Sequence, residues 1–300
     1  MTAQTETIGA GEFLLYSECG LSFDAATVAS GENLATGTVV GRKTKRQAAA
    51  PIPTIVGTGT GLMSALSFGP DVKVGSYVIT LTATSSTAAF SVVDPDGIAL
   101  KAGAVGTAYS SSHLSFLISN GGTMTTGDTY TVVVTAGGTP VLVGTGTGVV
   151  SSFTLGKLAQ LGTYRVTLLA TSATAEFEVI APDGSKLKRG QVATAYSSDH
   201  INFTLANGGT MTSGDYFNFV VATHTKQIVA WDPTATDGSQ DPAGVLFKAV
   251  DASSAATAGT IVSRFAEVKG SLLAFKSGVS AAAQAACKAR QLPAINIIAR

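Results

Sequence analysis

The segment GTGTGLMSALSFGPDVKVGSYVITLTATSSTAAFSVVDPDG, residues 57–97, returns as GTGTGVVSSFTLGKLAQLGTYRVTLLATSATAEFEVIAPDG, residues 144–184. The offset is 87, from Gly57 to Gly144, and it holds ungapped over residues 56–134 and 143–221. About half of the aligned positions are identical, so the chain carries a duplicated domain. Within each copy the apolar period is two. Tyr77, Ile79 and Leu81 alternate with Val78, Thr80 and Thr82, and Tyr164, Val166 and Leu168 do the same. Next come Phe90 and Val92, matched by Phe177 and Val179, while the intervening Ala89 and Ser91 become Glu176 and Glu178. A face that keeps its apolar residues while the other varies marks strands with one buried side. Turn residues at Asp94-Pro-Asp-Gly97 and Asn120-Gly-Gly122 separate the runs, so each copy is expected to be a compact Ig-like β-sandwich.

The expected organisation follows outward from the repeats: sandwiches at residues 54–138 and 141–224, an extended N-terminal arm at 1–36, and a discontinuous domain of residues 37–50 plus 225–300. Short strands read at 37–44 (GTVVGRKT), 226–232 (KQIVAWD), 244–249 and 294–298. The Ala-rich run 280–290 reads as one short helix capped by Ser277 or Ser280. The fold class is therefore mainly β: a small β-rich domain with one C-terminal helix, interrupted by two tandem sandwiches. The upstream linker, residues 44–54, holds Pro51 and Pro53, and extended it reaches about 35–40 Å. It is expected to run along one repeat, or the repeats to fold back side by side.

Composition excludes several functions. Charged residues make up 13% of 300, and 19 basic residues balance 19 acidic ones, so the surplus cation that coats nucleic acid is missing. Mean hydropathy is +0.33, yet Gly, Pro, Ser and Thr interrupt every long uncharged stretch and no apolar run reaches membrane-spanning length. Residues 1–12 lack the pattern of a secretory signal. Cys19 and Cys287 stand far apart, which argues for two reduced thiols rather than a disulfide framework or zinc site.

Catalytic chemistry is equally scarce. His113 and His200 are repeat equivalents following Tyr-Ser-Ser runs, and parity turns Leu114, Phe116 and Ile118 inward and His113 outward. Asp199 beside His200 is Ser112 in the first copy, so a triad lacks its acid there. The Gly57–Gly61 stretch lacks the Gly-Lys-Ser/Thr of a phosphate loop and reads as a flexible strand edge or joint. Asp94-Pro-Asp-Gly97 lacks the later ligands of a calcium loop, and Ala181 replaces Asp94 in the second copy. The basic cluster Arg42, Lys43, Lys45, Arg46 reads as a solvated linker start, or as a contact for an acidic patch. No enzyme, cofactor or metal is expected.

The segments GEFLLYSECG (11–20), GTVVG (37–41), VAWDPTATDGSQDPAGVLFKAVDA (229–252) and 266–300 resemble the head decoration proteins of lambda-type tailed phages. The pattern is Trp231, Asp232, Thr236, Asp237, Gly238, Gly244, Val245 and Leu246, with Val245 where Ile is more usual. The repeats resemble, more loosely, sandwich modules of phage head fibre and decoration proteins. The resemblance implies a structural virion protein, made in the host cytoplasm, that binds the outer surface of the mature capsid as a homotrimer and braces it against packaged DNA. Its partners are then the major capsid protein and itself, with neither nucleic acid nor membrane contacted directly. Phe13, Leu14, Leu15, Tyr16 and Leu21 are the expected capsid-binding residues of the arm, which has too few residues to fold alone and is suited to adding a strand to a partner sheet; three arms per trimer would add avidity. An alternative role falls to the repeats, in which Tyr109, His113, Tyr196 and His200 would form a surface site for glycans or host polymers.

Overall fold

The computed structural model describes residues 9–18, 20–289 and 295–298; Cys19 and residues 1–8 of the expected arm lie outside them. The chain divides into two compact units, Met1–Thr44 with His224–Arg300, and Lys45–Thr223.

In the first unit five strands close a barrel in the order Phe23–Val28, Ile228–Ala230, Val39–Arg42, Pro242–Leu246, Thr257–Val262. Successive strand residues point to opposite faces, and here both faces are covered. Val40, Leu246 and Ile261 pack with Val28 and Ile228 in one apolar cluster. Their chain neighbours Val39, Val245 and Val262 pack with Phe13, Trp231 and Val268 in another. This two-sided burial explains why VV, VL and IV stand as unbroken pairs in strands too short to show alternation. A second layer comprises strands Leu14–Ser17, Ala266–Lys269 and Ile295–Ile298. The helix spans Ala281–Ala289, with Ser280 Oγ accepting the Ala283 N–H at 3.2 Å and Cys287 buried.

The free arm expected at residues 1–36 is corrected from residue 9 onward. Leu14–Ser17 pairs with Ala266–Lys269, Phe23–Val28 is a barrel strand, and Glu32–Leu34 pairs with Val250–Ala252. The antiparallel ladder partners of these strands lie more than 200 residues downstream, so no local pattern in the segment announces them.

In the second unit each repeat is two-layered. Three strands, Leu62–Phe68, Tyr109–Ser110 and Leu114–Ser119, face the sheet strands Gly75–Leu81, Ala89–Val93 and Thr129–Ala136. The second repeat matches them with Val149–Leu155, Ala195–Tyr196 and Ile201–Ala206 against Gly162–Leu168, Glu176–Ile180 and Tyr216–Thr223. The inward parity is as read: Leu114, Phe116 and Ile118 are buried, as are Tyr77, Ile79 and Leu81.

The linker departs from expectation. Lys45–Ala49 is a strand lying between Thr129–Ala136 and Tyr216–Thr223 and antiparallel to both, so the main sheets of the two repeats fuse into one of 11 strands. Residues 45–49 thus belong with the repeats, not with the 37–50 segment of the other domain. Both repeat-closing strands run the same way beside the linker, so the repeats face opposite sides of the shared sheet. Along Tyr216–Thr223 the parity makes this visible. Phe217, Phe219 and Val221 enter the second repeat's core, while Val220 and Ala222, with Ala48 of the linker, enter the first repeat's core.

Candidate functional site

Among the described residues of the first unit, the large exposed apolar ones lie along or beside the Leu14–Ser17/Ala266–Lys269 ladder, here called the rim. Leu15, Tyr16, Leu21 and Phe265 are 49%, 54%, 57% and 51% exposed. Leu15 is the extra residue where the Leu14–Ser17 ladder shifts register against Ala266–Lys269, and such a bulge re-aims side chains at a sheet edge. Phe265 closes the other side of the same ladder with φ +48, a conformation that bulky side chains avoid. Its carbonyl is held by the Glu18 N–H at 3.3 Å and the Ser22 hydroxyl at 2.8 Å. One residue earlier, Arg264 grips Asp24 with two bonds of 3.0 and 2.7 Å, and Ser263 Oγ adds a third at 2.7 Å. The Ser263 hydrogen bond, with Arg264 and against the opposing effect of burial, holds the Asp24 carboxyl below its ordinary range. An exposed aromatic kept in an unfavourable backbone state by this many bonds is the kind of strain that collects at functional surfaces.

Of the arm residues read from the sequence, Leu15, Tyr16 and Leu21 are on this rim. Phe13 is not: it is fully buried beside Trp231 and Val268, with Leu14 packed against the same cluster. Phe265 was missed. Nothing in the run SRFAEV marks a left-handed phenylalanine.

The signature residues build the scaffold behind the rim. Trp231 is buried, donates Nε1–H to the Gln240 carbonyl at 2.8 Å, and meets Phe275 edge-on. Asp232 accepts the Thr234 N–H and hydroxyl on one oxygen and pairs with Lys276 at 2.8 Å on the other. Led by the Lys276 bond, these contacts lower its carboxyl to about 2. Asp237 caps the next turn through the Ser239 N–H and hydroxyl. Gly238, at φ +104, lies where a Cβ would strike Thr44 Oγ1, and at Gly244 one would meet the Val262 carbonyl. The pattern is thus a pair of Asx-type turns and two close backbone approaches, with Thr236 inside the loop between them.

In the repeats the expected tyrosine–histidine surface site does not assemble. Tyr109 and Tyr196 are core residues, 3% and 4% exposed, with Tyr109 stacked on Phe116 and Tyr196 tilted against Phe203. His113 and His200 are half-buried, with Nδ1 at 3.2 and 3.0 Å from the Tyr77 and Tyr164 hydroxyls. Each hydroxyl also accepts a backbone N–H, from Lys73 and Gln160 respectively. The tyrosines sit in two-residue strands, Tyr109–Ser110 and Ala195–Tyr196, too short to display a period that would have marked them as core.

The GTGTG runs are each tied to a carboxylate by backbone hydrogen bonds. Asp128 accepts the Thr58 and Gly59 N–H groups at 3.1 and 2.7 Å, and Asp215 accepts those of Thr145 and Gly146 at 3.2 and 2.7 Å. Gly57 and Gly144 have φ +143 and +146, and a Cβ on either would collide with the carboxylate. The paired Gly127-Asp128 and Gly214-Asp215 were the signal that could have revealed this cradle. Among the described residues no group of three or more His, Cys, Asp or Glu side chains could hold a metal ion, and no helix is long and apolar enough to cross a membrane.

The family model described as bacteriophage lambda head decoration protein D matches residues 3–297. No curated protein and no solved structure matches the chain.

Proposed function

We propose, from the premise that this chain belongs to the bacteriophage lambda head decoration protein D family and so has a structural role on a phage head, that it sits as a homotrimer on the outer surface of the mature capsid. There it braces the shell against the pressure of packaged DNA, and the two repeats project outward. The rim of Leu15, Tyr16, Leu21 and Phe265 is the surface that meets the major capsid protein. The observation that carries this is the exposure of Leu15 and Tyr16 on the Leu14–Ser17 strand, with Leu21 in the turn after it and Phe265 just before its partner strand, since large exposed apolar side chains on one part of an otherwise polar exterior mark a protein contact. Leu14–Ser17 is the edge strand of its sheet among the described residues, which suits strand addition as well.

Co-sedimentation with purified expanded heads tests the reading. Wild-type protein pellets with the heads, and Phe265→Asp or Tyr16→Asp binds at least about tenfold more weakly, the cost of roughly 1.4 kcal/mol at one anchor, with melting unchanged. Heads carrying the wild type should retain DNA at temperatures where bare heads release it. Failure of the wild type to pellet sinks the capsid role. Equal pelleting of the variants sinks the rim.

A further inference from the structure

The turns Asn120-Gly-Gly122 and Asn207-Gly-Gly209 occupy equivalent places in the two repeats and belong neither to the rim nor to a core. All six residues are exposed. In each turn the asparagine side chain folds back on its own backbone. Asn120 Oδ1 accepts the Gly122 N–H at 2.9 Å, and Asn207 Oδ1 accepts the Gly209 N–H at 3.0 Å. Such an Asx turn closes a small ring that contains both the asparagine Cγ and the nitrogen of the glycine after it. The N–H groups of Gly121 and Gly208 bond nothing among the described residues. The opposing loop keeps both positions glycine, because a Cβ at Gly121 would strike the Thr60 carbonyl and one at Gly208 the Thr147 carbonyl. The fold thus requires, after each asparagine, the residue whose nitrogen is least shielded.

A nitrogen held in one ring with a polarised carbonyl carbon is placed to attack it. The Gly122 and Gly209 N–H groups lie on the oxygens where negative charge gathers during that attack, the position of an oxyanion donor. We propose that Asn120 and Asn207 are sites of spontaneous deamidation set up by these turns. Solvent hydroxide takes the Gly121 N–H proton as the nitrogen bonds to Asn120 Cγ. The Cγ–Nδ2 bond breaks, and Nδ2 leaves with the bonding pair and a proton from water as ammonia, which leaves a cyclic imide. Water then opens the imide at either carbonyl, giving aspartate in the ordinary linkage or with an extra methylene in the main chain. The sum is asparagine plus water to aspartate plus ammonia. Gly208 and Asn207 react in the same way. Each event adds one carboxylate to a chain whose 19 basic and 19 acidic residues balance, so the protein turns net negative with age at neutral pH.

Other residues lack one part of this setting. Asn33, Asn202 and Asn218 stand within strands and are followed by Leu34, Phe203 and Phe219, large residues that crowd the attacking nitrogen. Asp183-Gly184-Ser185 makes the same turn, with the Ser185 N–H on Asp183 Oδ1 at 2.9 Å. Its carboxyl, lowered to about 2 by Ser185 and Gln160, is an anion at neutral pH and repels a nucleophile. The inference goes beyond head binding and does not depend on it.

The test uses the full chain, kept folded in mildly alkaline water enriched in oxygen-18. Samples are digested at intervals in ordinary water for mass spectrometry, so that only earlier events carry the label. The peptides holding Asn120 and Asn207 should gain one heavy oxygen as the amide is lost, at similar rates. Each should react at least about tenfold faster than Asn33, Asn202 or Asn218, the ratio that roughly 1.4 kcal/mol of barrier gives. Asn120→Gln should silence its own peptide, keep Asn207 at its former rate and leave melting unchanged. Because the turn sets up the attack, neither site should label faster in the guanidinium-unfolded chain than in the folded one. Faster labelling after unfolding, labelling of one loop without the other, labelling led by a strand asparagine, or no labelling at all overturns the proposal. Head co-sedimentation, measured separately, is not altered by any of these results.

Discussion

The two repeats share about half their residues, yet only one of them owns its core. Every residue of the second repeat's buried cluster lies between Val150 and Val221. The first repeat's cluster includes Ala48 from the linker and Val220 and Ala222 from the second repeat's closing strand. The cause is the flipped arrangement of the repeats on one sheet. The closing strand of the second repeat is buried on both faces, and its first-repeat equivalent is not: Val133, the mate of Val220, is 43% exposed. Near-identical sequences thus end with different dependencies because burial belongs to a position in the assembly, not to a residue type.

The largest expected effect breaks that comparison directly. A fragment of residues 141–223 folds, giving a β-rich circular dichroism spectrum and a dispersed amide NMR spectrum, whereas residues 54–138 do not; residues 45–223 restore the first repeat. Equal folding of both fragments would refute the borrowed core. Next, Phe219→Ala, which removes a ring packed on Phe153 and Phe203 at 5.0 and 4.5 Å, costs about 3–5 kcal/mol in urea unfolding. Val132→Ala at the equivalent position costs less, since fewer atoms are lost. The glycine cradles should not distinguish the repeats: Asp128→Ala and Asp215→Ala each orphan two N–H groups and each cost about 2 kcal/mol, and a large inequality would mean that one loop finds other partners.

Acid separates the repeats again. Asp94 is buried, which pushes its carboxyl up, but the Lys73 bond of 2.6 Å with the Ile98 and Asp96 N–H bonds outweighs burial and holds it below 3.8. A depressed carboxyl contributes stability above its unfolded value and loses it as pH falls through the folded one, so this contribution fades below about pH 4. The second repeat has Ala181 and Gln160 at those places, with only the exposed Asp183 lowered to about 2, first by Ser185. Lys73→Gln should cost about 1–2 kcal/mol at neutral pH, discounted because Lys73 is partly exposed. It should also move the acid loss to higher pH, as read from urea midpoints between pH 7 and 3; an unchanged profile would contradict the assignment. The smallest effect is Arg165→Val, which imitates Val78 and removes the cation stacked on Tyr216. It should cost about 0.5–1 kcal/mol, registered by far-ultraviolet dichroism, while Trp231 fluorescence follows the other unit.

Much of this was legible in advance. The duplication, the inward parity of Tyr77, Ile79, Leu81 and their mates, and the helix cap at Ser280 follow from local periods and turn chemistry that need no partner. The candidate rim was half legible. Leu15, Tyr16 and Leu21 stood out as apolar residues near the N-terminus, but nothing local separated them from Phe13, whose burial depends on Trp231 and Val268 far along the chain. Phe265 was invisible because its left-handed backbone is imposed by Glu18, Ser22 and Asp24. The signature Trp231-Asp232…Asp237-Gly238 carried the family without its physical meaning, which is turn capping and close backbone contact.

By itself, the order of residues determined that two alike β modules interrupt a smaller β domain, because side-chain alternation and turn residues act over a few positions and survive any packing. Only the tertiary structure decided that Lys45–Ala49 becomes the strand joining the two modules, and that one module lends residues to the other's core. KRQAA has no pattern that demands a strand. Its conformation is set by two sheet edges, each offering unpaired backbone groups, between which it satisfies its own.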